Sequence, residues 1–290
     1  MVKLAVIGGT GLYELAGLED TEIVGVDTPF GPPSAPPSKG RIGDLELIFL
    51  ARHGIGHVLL PEEVNYRANI YALKKLGATH VVSICAVGSL QKHIKPGDLV
   101  IVDQFFDRTR KQRADTFFGD GLVGHVQFGE PVCPELCAAL ELAASKVDTT
   151  VHVGGTYVTM EGPAFSTRAE SLFYKDVLKA AVIGMTSLTE AKLAREAELC
   201  FATLGQVTDY DCWHVAEGGV SVDAIMAVMR RNAESTARIL QQLAREFLPA
   251  RECHCGSALE HAILTHWDAV PAATIEALRP LIAKYLPAGA

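Results

Sequence analysis

Apolar residues in this chain come in short, nearly unbroken runs separated by stretches with a helical period. Leu4 to Ile7, Leu45 to Leu50, His80 to Cys85, Leu99 to Val102, Val151 to Met160, Ala181 to Met185 and Cys200 to Val207 lack polar alternation. Such runs predict strands covered on both faces. Between them, Asn65 to Leu76 (apolar at Ile70, Leu73 and Leu76) and Pro134 to Lys146, opened by a proline, predict helices. Thr167-Arg168-Ala169-Glu170 and Ser187-Leu188-Thr189-Glu190 read as capping boxes that start two more. Ser221 to Phe247 predicts a long amphipathic helix, broken once. The alternation is that of an α/β protein with a mostly parallel or mixed sheet.

Pro29 to Gly40 holds five prolines and predicts a loop; Thr109 to Val123, charged and glycine-containing, predicts an exposed excursion. The character changes after Phe247. Pro249 to Gly256 resembles a linker, and Ser257 to Tyr285 predicts one or two short helices. The reading is one domain over 1–248 with a C-terminal extension over 249–290.

Composition adds exclusions. A chain with 49% hydrophobic and 21% charged residues is built to bury a large core. A net charge of −8 argues against nonspecific nucleic-acid binding and against an anionic membrane surface. No apolar stretch approaches the ~20 residues of a membrane-spanning helix. Met1-Val2-Lys3-Leu4 runs straight into a strand without the layout of a signal peptide, so a cytoplasmic location is expected. The seven cysteines are odd in number and mostly sit in apolar runs, which fits free buried thiols. Cys253-His254-Cys255, read as part of an exposed tail, suits a strained, labile disulfide or a metal. No second ligand pair stands at zinc spacing, so the sequence argues against a structural zinc.

Candidate chemistry gathers at strand ends. Gly8-Gly9-Thr10-Gly11 after the first strand offers backbone N–H groups and a hydroxyl to an anion, although it is neither a dinucleotide-binding nor a P-loop motif. Arg52-His53-Gly54, Ala86-Val87-Gly88-Ser89 and Met185-Thr186-Ser187 follow three other strands. Arginine suits phosphate, and a helix N-terminus favours anions. Ligands in α/β folds bind beyond the carboxyl ends of strands, so four such signals reinforce one another. Thr208-Asp209-Tyr210-Asp211-Cys212-Trp213 ends the last apolar run. Two carboxylates there are costly unless they find donors or protons, and gripping or protonating a nitrogen heterocycle would supply both.

At Met160-Glu161-Gly162-Pro163-Ala164-Phe165-Ser166-Thr167-Arg168-Ala169-Glu170-Ser171 the chain resembles the trimeric purine nucleoside phosphorylase family, and within it the branch acting on 5′-methylthioadenosine. The likeness includes Asp27-Thr28-Pro29-Phe30-Gly31, Asn65-Tyr66-Arg67-Ala68-Asn69, Gly97-Asp98 and the segment from Thr208 to Trp213, and covers roughly Val2 to Leu248. It implies a single α/β domain around a distorted, partly barrel-like mixed sheet, a homotrimer or dimer of trimers, and reversible phosphorolysis without a metal or organic cofactor. By position it implies a phosphate site at Thr10, Arg52, His53, Cys85, Ala86 and Thr186. The nucleoside site would use Phe165 and Ser166 at the purine, Met185 at the ribose, and Asp209 and Asp211 as the acids at the purine edge. Val222, Ile225 and Met226 would line the 5′ pocket, joined by His125 from a neighbouring subunit. An acid there fits a 6-amino purine, which offers N7 as acceptor and N6–H as donor, better than a 6-oxo purine such as that of inosine or methylthioinosine. Two departures stand out: Ala164 where many of this branch carry arginine, and Cys85 where a threonine is common.

Overall fold

The computed structural model describes residues 2–9, 17–110, 112–214 and 222–287, excepting the side chains of 222–226. Among these residues eleven strands form one mixed sheet. β1 (Leu4–Gly8) lies parallel between β4 (Leu45–Ala51) and β5 (His80–Ser89), and β5 continues parallel to β11 (Cys200–Tyr210). On the far side of β4 the antiparallel β3 (Ser38–Ile42) and β2 (Glu19–Ile23) complete that edge. Beyond β5 run β10 (Val182–Gly184), β9 (Thr156–Met160) and β7 (Gln104–Arg108). β6 (Leu99–Ile101) pairs with β11 and β8 (Val151–Val153) pairs with β6. The sheet does not close into a barrel among the described residues.

The unbroken apolar runs have the expected cause. Leu4 and Val6 pack in one core cluster, and Ala5 and Ile7 pack in another on the opposite face. The first face is covered by α2 (Pro134–Ala144) and α5 (Val222–Gln242), through Leu136, Leu140, Ile239 and Leu240. The second is covered by α1 (Tyr66–Lys75), α4 (Ser187–Glu196) and α6 (Ala272–Ile282), through Ile70, Leu73, Ala191, Leu278 and Leu281. With helices on both faces, polar alternation would bury polar groups, so the strands read as continuous apolar runs.

Several expectations need correction. The run from Val151 to Met160 is two strands, because Gly154 and Gly155 take φ of +86° and +107° and break it. The proline-rich stretch contains the start of β3, which pairs with β2 on one side and β4 on the other. The 109–123 excursion is anchored, with Arg113, Phe117 and Leu122 buried. The Thr167 capping box opens α3 (Arg168–Asp176) as read. The Ser187 box does not form: Thr186 is the N-cap, without a side-chain cap, and Glu190 is drawn into an ion pair with Arg52. The long helix changes to a π-turn at Leu243–Phe247, consistent with one break. The C-terminal segment is no loose tail. Leu259, Ala262, Leu278, Leu281 and Ile282 sit in the same core cluster as α1, and Cys255 is buried.

Candidate active site

The sheet opens where its strands diverge. β1 pairs with β5 only as far as Ser83, and β10 joins β5 only at Gly88 and Ser89. Between these points Ile84, Cys85, Ala86 and Val87 pair, among the described residues, on one side alone, with β11. This gap at the carboxyl end of β1 is where an open α/β sheet places its ligands. Cys85 and Ala86 therefore lie in it by topology. The Cys85 thiol is 3.6 Å from the Thr186 hydroxyl and 3.4 Å from that of Ser83.

Arg52 follows β4 into the same region. Its side chain is 1% exposed. Nε donates to Glu190 Oε1 at 2.5 Å, and Nη2 donates to Glu190 Oε2 at 2.9 Å and to the Ser83 hydroxyl at 2.8 Å. Nη1 donates to the Ile84 carbonyl at 2.9 Å. Of a guanidinium's five N–H groups, these partners account for four. Nη1, which carries the fifth, is also the nitrogen beside the glycine-rich loop: a Cβ on Gly9 would lie 2.6 Å from it and 2.4 Å from the Ile84 oxygen. That close approach is why glycine stands at position 9. The arginine read as a phosphate ligand is thus first a buried ion pair, and one Nη1 N–H has no partner among the described residues.

His53 is buried, and its Nδ1 lies 2.9 Å from the Leu59 carbonyl. A carbonyl only accepts, so Nδ1 carries the proton and Nε2 of the neutral ring is an acceptor. Burial, and then the Arg52 charge, lower its pKa to about 4. The sign follows: below the ordinary 6.5 the unfolded chain binds this proton first, so the contribution of neutral His53 is present above pH 6.5 and lost towards about 4. Unfolding midpoints measured across that range should fall more steeply for the parent than for His53→Gln. Equal slopes would remove His53 as the cause.

The two acids sit at the other end of the opening. The β11–β5 register slips between Val207 and Asp209, leaving a bulge at Thr208. Bulges re-aim side chains next to functional sites. A Cβ on Gly88 would lie 3.3 Å from Asp209 Oδ1 and 3.4 Å from Asp211 Cβ, so both acids flank one glycine. The Thr208 hydroxyl donates to Asp209 Oδ2 at 2.7 Å. Burial raises the Asp209 pKa, Thr208 opposes the rise and the Asp211 charge adds to it. Asp211 is 6% exposed, and its Oδ2 is buried without a hydrogen-bond partner among the described residues.

The loop after β9 is tied to this end. The Cys212 thiol donates to the Ser166 carbonyl at 3.2 Å, and Phe165 beside it is 79% exposed. Met185 Sδ is the nearest atom to a Cβ on Gly162, at 2.7 Å. Sequence reading missed the residue that joins these pieces. Buried Arg113 donates to the carbonyls of Met185 and Glu161 and pairs with the Glu161 carboxylate at 3.0 Å. It is one arginine in a charged stretch, and no spacing marks it. Ala164 is exposed.

Thr10 lies outside the described residues, and so do the side chains of Val222, Ile225 and Met226, whose backbone opens α5. His125 is exposed, with its backbone N–H bonded to the Ala262 carbonyl at 2.8 Å.

Residues 3–245 match the phosphorylase superfamily. A curated S-methyl-5′-thioadenosine phosphorylase of Geobacter sulfurreducens is 52% identical over 98% of this chain and 99% of its own. A methylthioadenosine phosphorylase from an Antarctic soil metagenomic library has a solved structure with a TM-score of 0.90 and 45% identity, covering 99% of both chains. The methylthioadenosine phosphorylase of Schistosoma mansoni bound to adenine gives 0.83 at 36% identity, covering 90% of this chain and 96% of its own. Strand divergence, buried arginine and paired acids thus stand within a shared fold, and the chain belongs to the phosphorylase superfamily.

Proposed function

We propose that the chain catalyses reversible phosphorolysis of 5′-methylthioadenosine, giving adenine and 5-methylthioribose 1-phosphate. The observation that carries this reading is the pair of acids around Gly88. One carboxyl has a raised pKa, and the other keeps a buried oxygen without a donor. A 6-amino purine supplies what both lack, an acceptor at N7 and N–H groups at N6.

In the forward reaction a phosphate oxygen bonds to C1′ as the N9–C1′ bond breaks. The bonding electrons leave with the purine, and Asp209 gives its proton to N7, so neutral adenine departs. Asp209 remains as carboxylate and regains a proton from water. Positive charge grows on the sugar during this step, and phosphate held against it stabilises that charge before capturing C1′. Arg52 Nη1, the Thr186 hydroxyl, Cys85, Ala86 and Thr10 form the anion site, and the neutral His53 presents Nε2 as an acceptor for the hydroxyl of hydrogen phosphate. Phe165 and Ser166 meet the base, and Met185 lies against the ribose with Arg113 holding it in place. The pocket for the methylthio group is assigned to Val222, Ile225 and Met226 on their positions in the sequence alone.

The bond-breaking step uses no metal or organic cofactor. A homotrimer, in which His125 of one subunit reaches the 5′ side of the next site, completes the pocket. Among the described residues no helix is long and apolar enough to cross a membrane, and the cytoplasm is the proposed location. The decisive assay measures base release from 5′-methylthioadenosine, adenosine and inosine with and without phosphate. Adenine release from methylthioadenosine should require phosphate and outpace the other substrates. Release without phosphate would make the protein a hydrolase, and faster turnover of inosine would make it a 6-oxopurine phosphorylase.

A further inference from the structure

Four of the seven cysteines converge at the opposite end of β11 from the paired acids. Cys200 begins β11, Cys133 is the N-cap of α2, and Cys253 and Cys255 come from the C-terminal segment. Their four sulfurs all lie within 4.8 Å of one another. The Cys133–Cys253 and Cys200–Cys253 separations are 3.7 and 3.3 Å. Cys133, Cys200 and Cys255 are 1%, 0% and 7% exposed, and Cys253 is half-buried. All are free thiols.

Core packing does not require this arrangement. Cysteine packs as a small hydrophobe, and a thiol is a weak donor and a weak acceptor. Four mutually adjacent sulfurs satisfy one another poorly. They match a tetrahedral tetrathiolate well: four ligands at a Zn–S distance of ~2.3 Å stand ~3.8 Å apart along every edge. Spacing in sequence argued against such a site because only one close pair exists. The fold supplies the second pair from Cys133 and Cys200, brought together where the Cys133 N–H donates to the Phe201 carbonyl at 2.7 Å.

We infer that Cys133, Cys200, Cys253 and Cys255 form a structural zinc site that fastens the C-terminal segment to the start of β11 and to α2. Binding one Zn²⁺ releases the four thiol protons and leaves a centre of net charge −2. Two features offset that charge. Cys133 stands at a helix N-terminus, where the dipole favours anions. Arg251, two residues before Cys253, lies against the same turn, with its Cζ 3.1 Å from where a Cβ on Gly256 would be. Its Nε is buried without a partner.

The test uses the full chain purified without chelators under reducing conditions. Elemental analysis should find about one zinc per chain, with Cys253→Ser/Cys255→Ser reducing it to background. Zinc-stripped parent chain loaded with cobalt(II) chloride should give the intense visible bands of tetrahedral cobalt thiolate, and so report the site even if the variant folds poorly. Where the variant does fold, its melting temperature should fall while its kcat at low temperature stays near that of the parent, because the cluster lies at the far end of β11. Zinc-free parent chain that also fails to take up cobalt as a tetrathiolate would overturn the assignment. So would freshly isolated chain lighter by four hydrogens, with these cysteines linked as disulfides.

Discussion

Asp209→Asn lowers kcat for methylthioadenosine by roughly 10²- to 10⁴-fold, the usual contribution of general acid–base catalysis, with little change in KM. The reason lies in what the substitution keeps. Asparagine has nearly the same shape and can donate an N–H to N7, so ground-state binding survives. It has no proton to give up, so the purine must depart with more negative charge. An interaction realised only in the transition state lowers kcat and kcat/KM together. The parent also carries a pH signature. Burial and the neighbouring Asp211 raise the Asp209 pKa, so its rate should decline as pH rises through that elevated value. The variant should lack that limb. A variant with parental kcat and an unchanged pH profile would show that Asp209 does not supply the proton.

Glu190→Gln should destabilise the fold by about 3–5 kcal/mol, the range for removing one partner of a buried ion pair. Arg52 and Glu190 are each 1% exposed in their side chains, and two of the guanidinium's N–H bonds end on this carboxylate. Without it a cation remains buried against the Ser83 hydroxyl and the Ile84 carbonyl. Urea unfolding at neutral pH reads the loss directly. The kinetics should divide as well: the phosphate KM rises while the nucleoside KM holds, because the loosened guanidinium is the proposed phosphate ligand. A loss below ~1 kcal/mol would place this pair with exposed salt bridges. An unchanged phosphate KM would detach Arg52 from the anion site.

Much of the architecture was legible because burial on both faces leaves a plain mark. Leu4 to Ile7 and Cys200 to Val207 read as strands since each alternate residue meets a different core. The edge strands β2 and β7 were not legible. β2 is Glu19–Ile23, exposed along its length and polar but for Ile23, and its strand character comes from pairing with β3 rather than from its own residues. The false capping box at Ser187 has a similar origin. Glu190 suits a local cap, but a buried arginine from a distant strand competes for the same carboxylate and wins.

The site divides along the same line. The sequence by itself determined which groups are present: a glycine-rich turn after the first strand, an arginine at a strand end, and two acids after an apolar run. These are short-range patterns, and short-range patterns survive in sequence. Only the tertiary structure decided how each group is held. It ties two of Arg52's N–H groups to Glu190, fixes the His53 tautomer through Leu59, sets both acids around Gly88 and buries Arg113 behind Met185. It also gathers Cys133, Cys200, Cys253 and Cys255 at one point. Each of these depends on segments far apart in the chain, and their approach is set by the register of the sheet and the packing of helices on its faces, which no local spacing records.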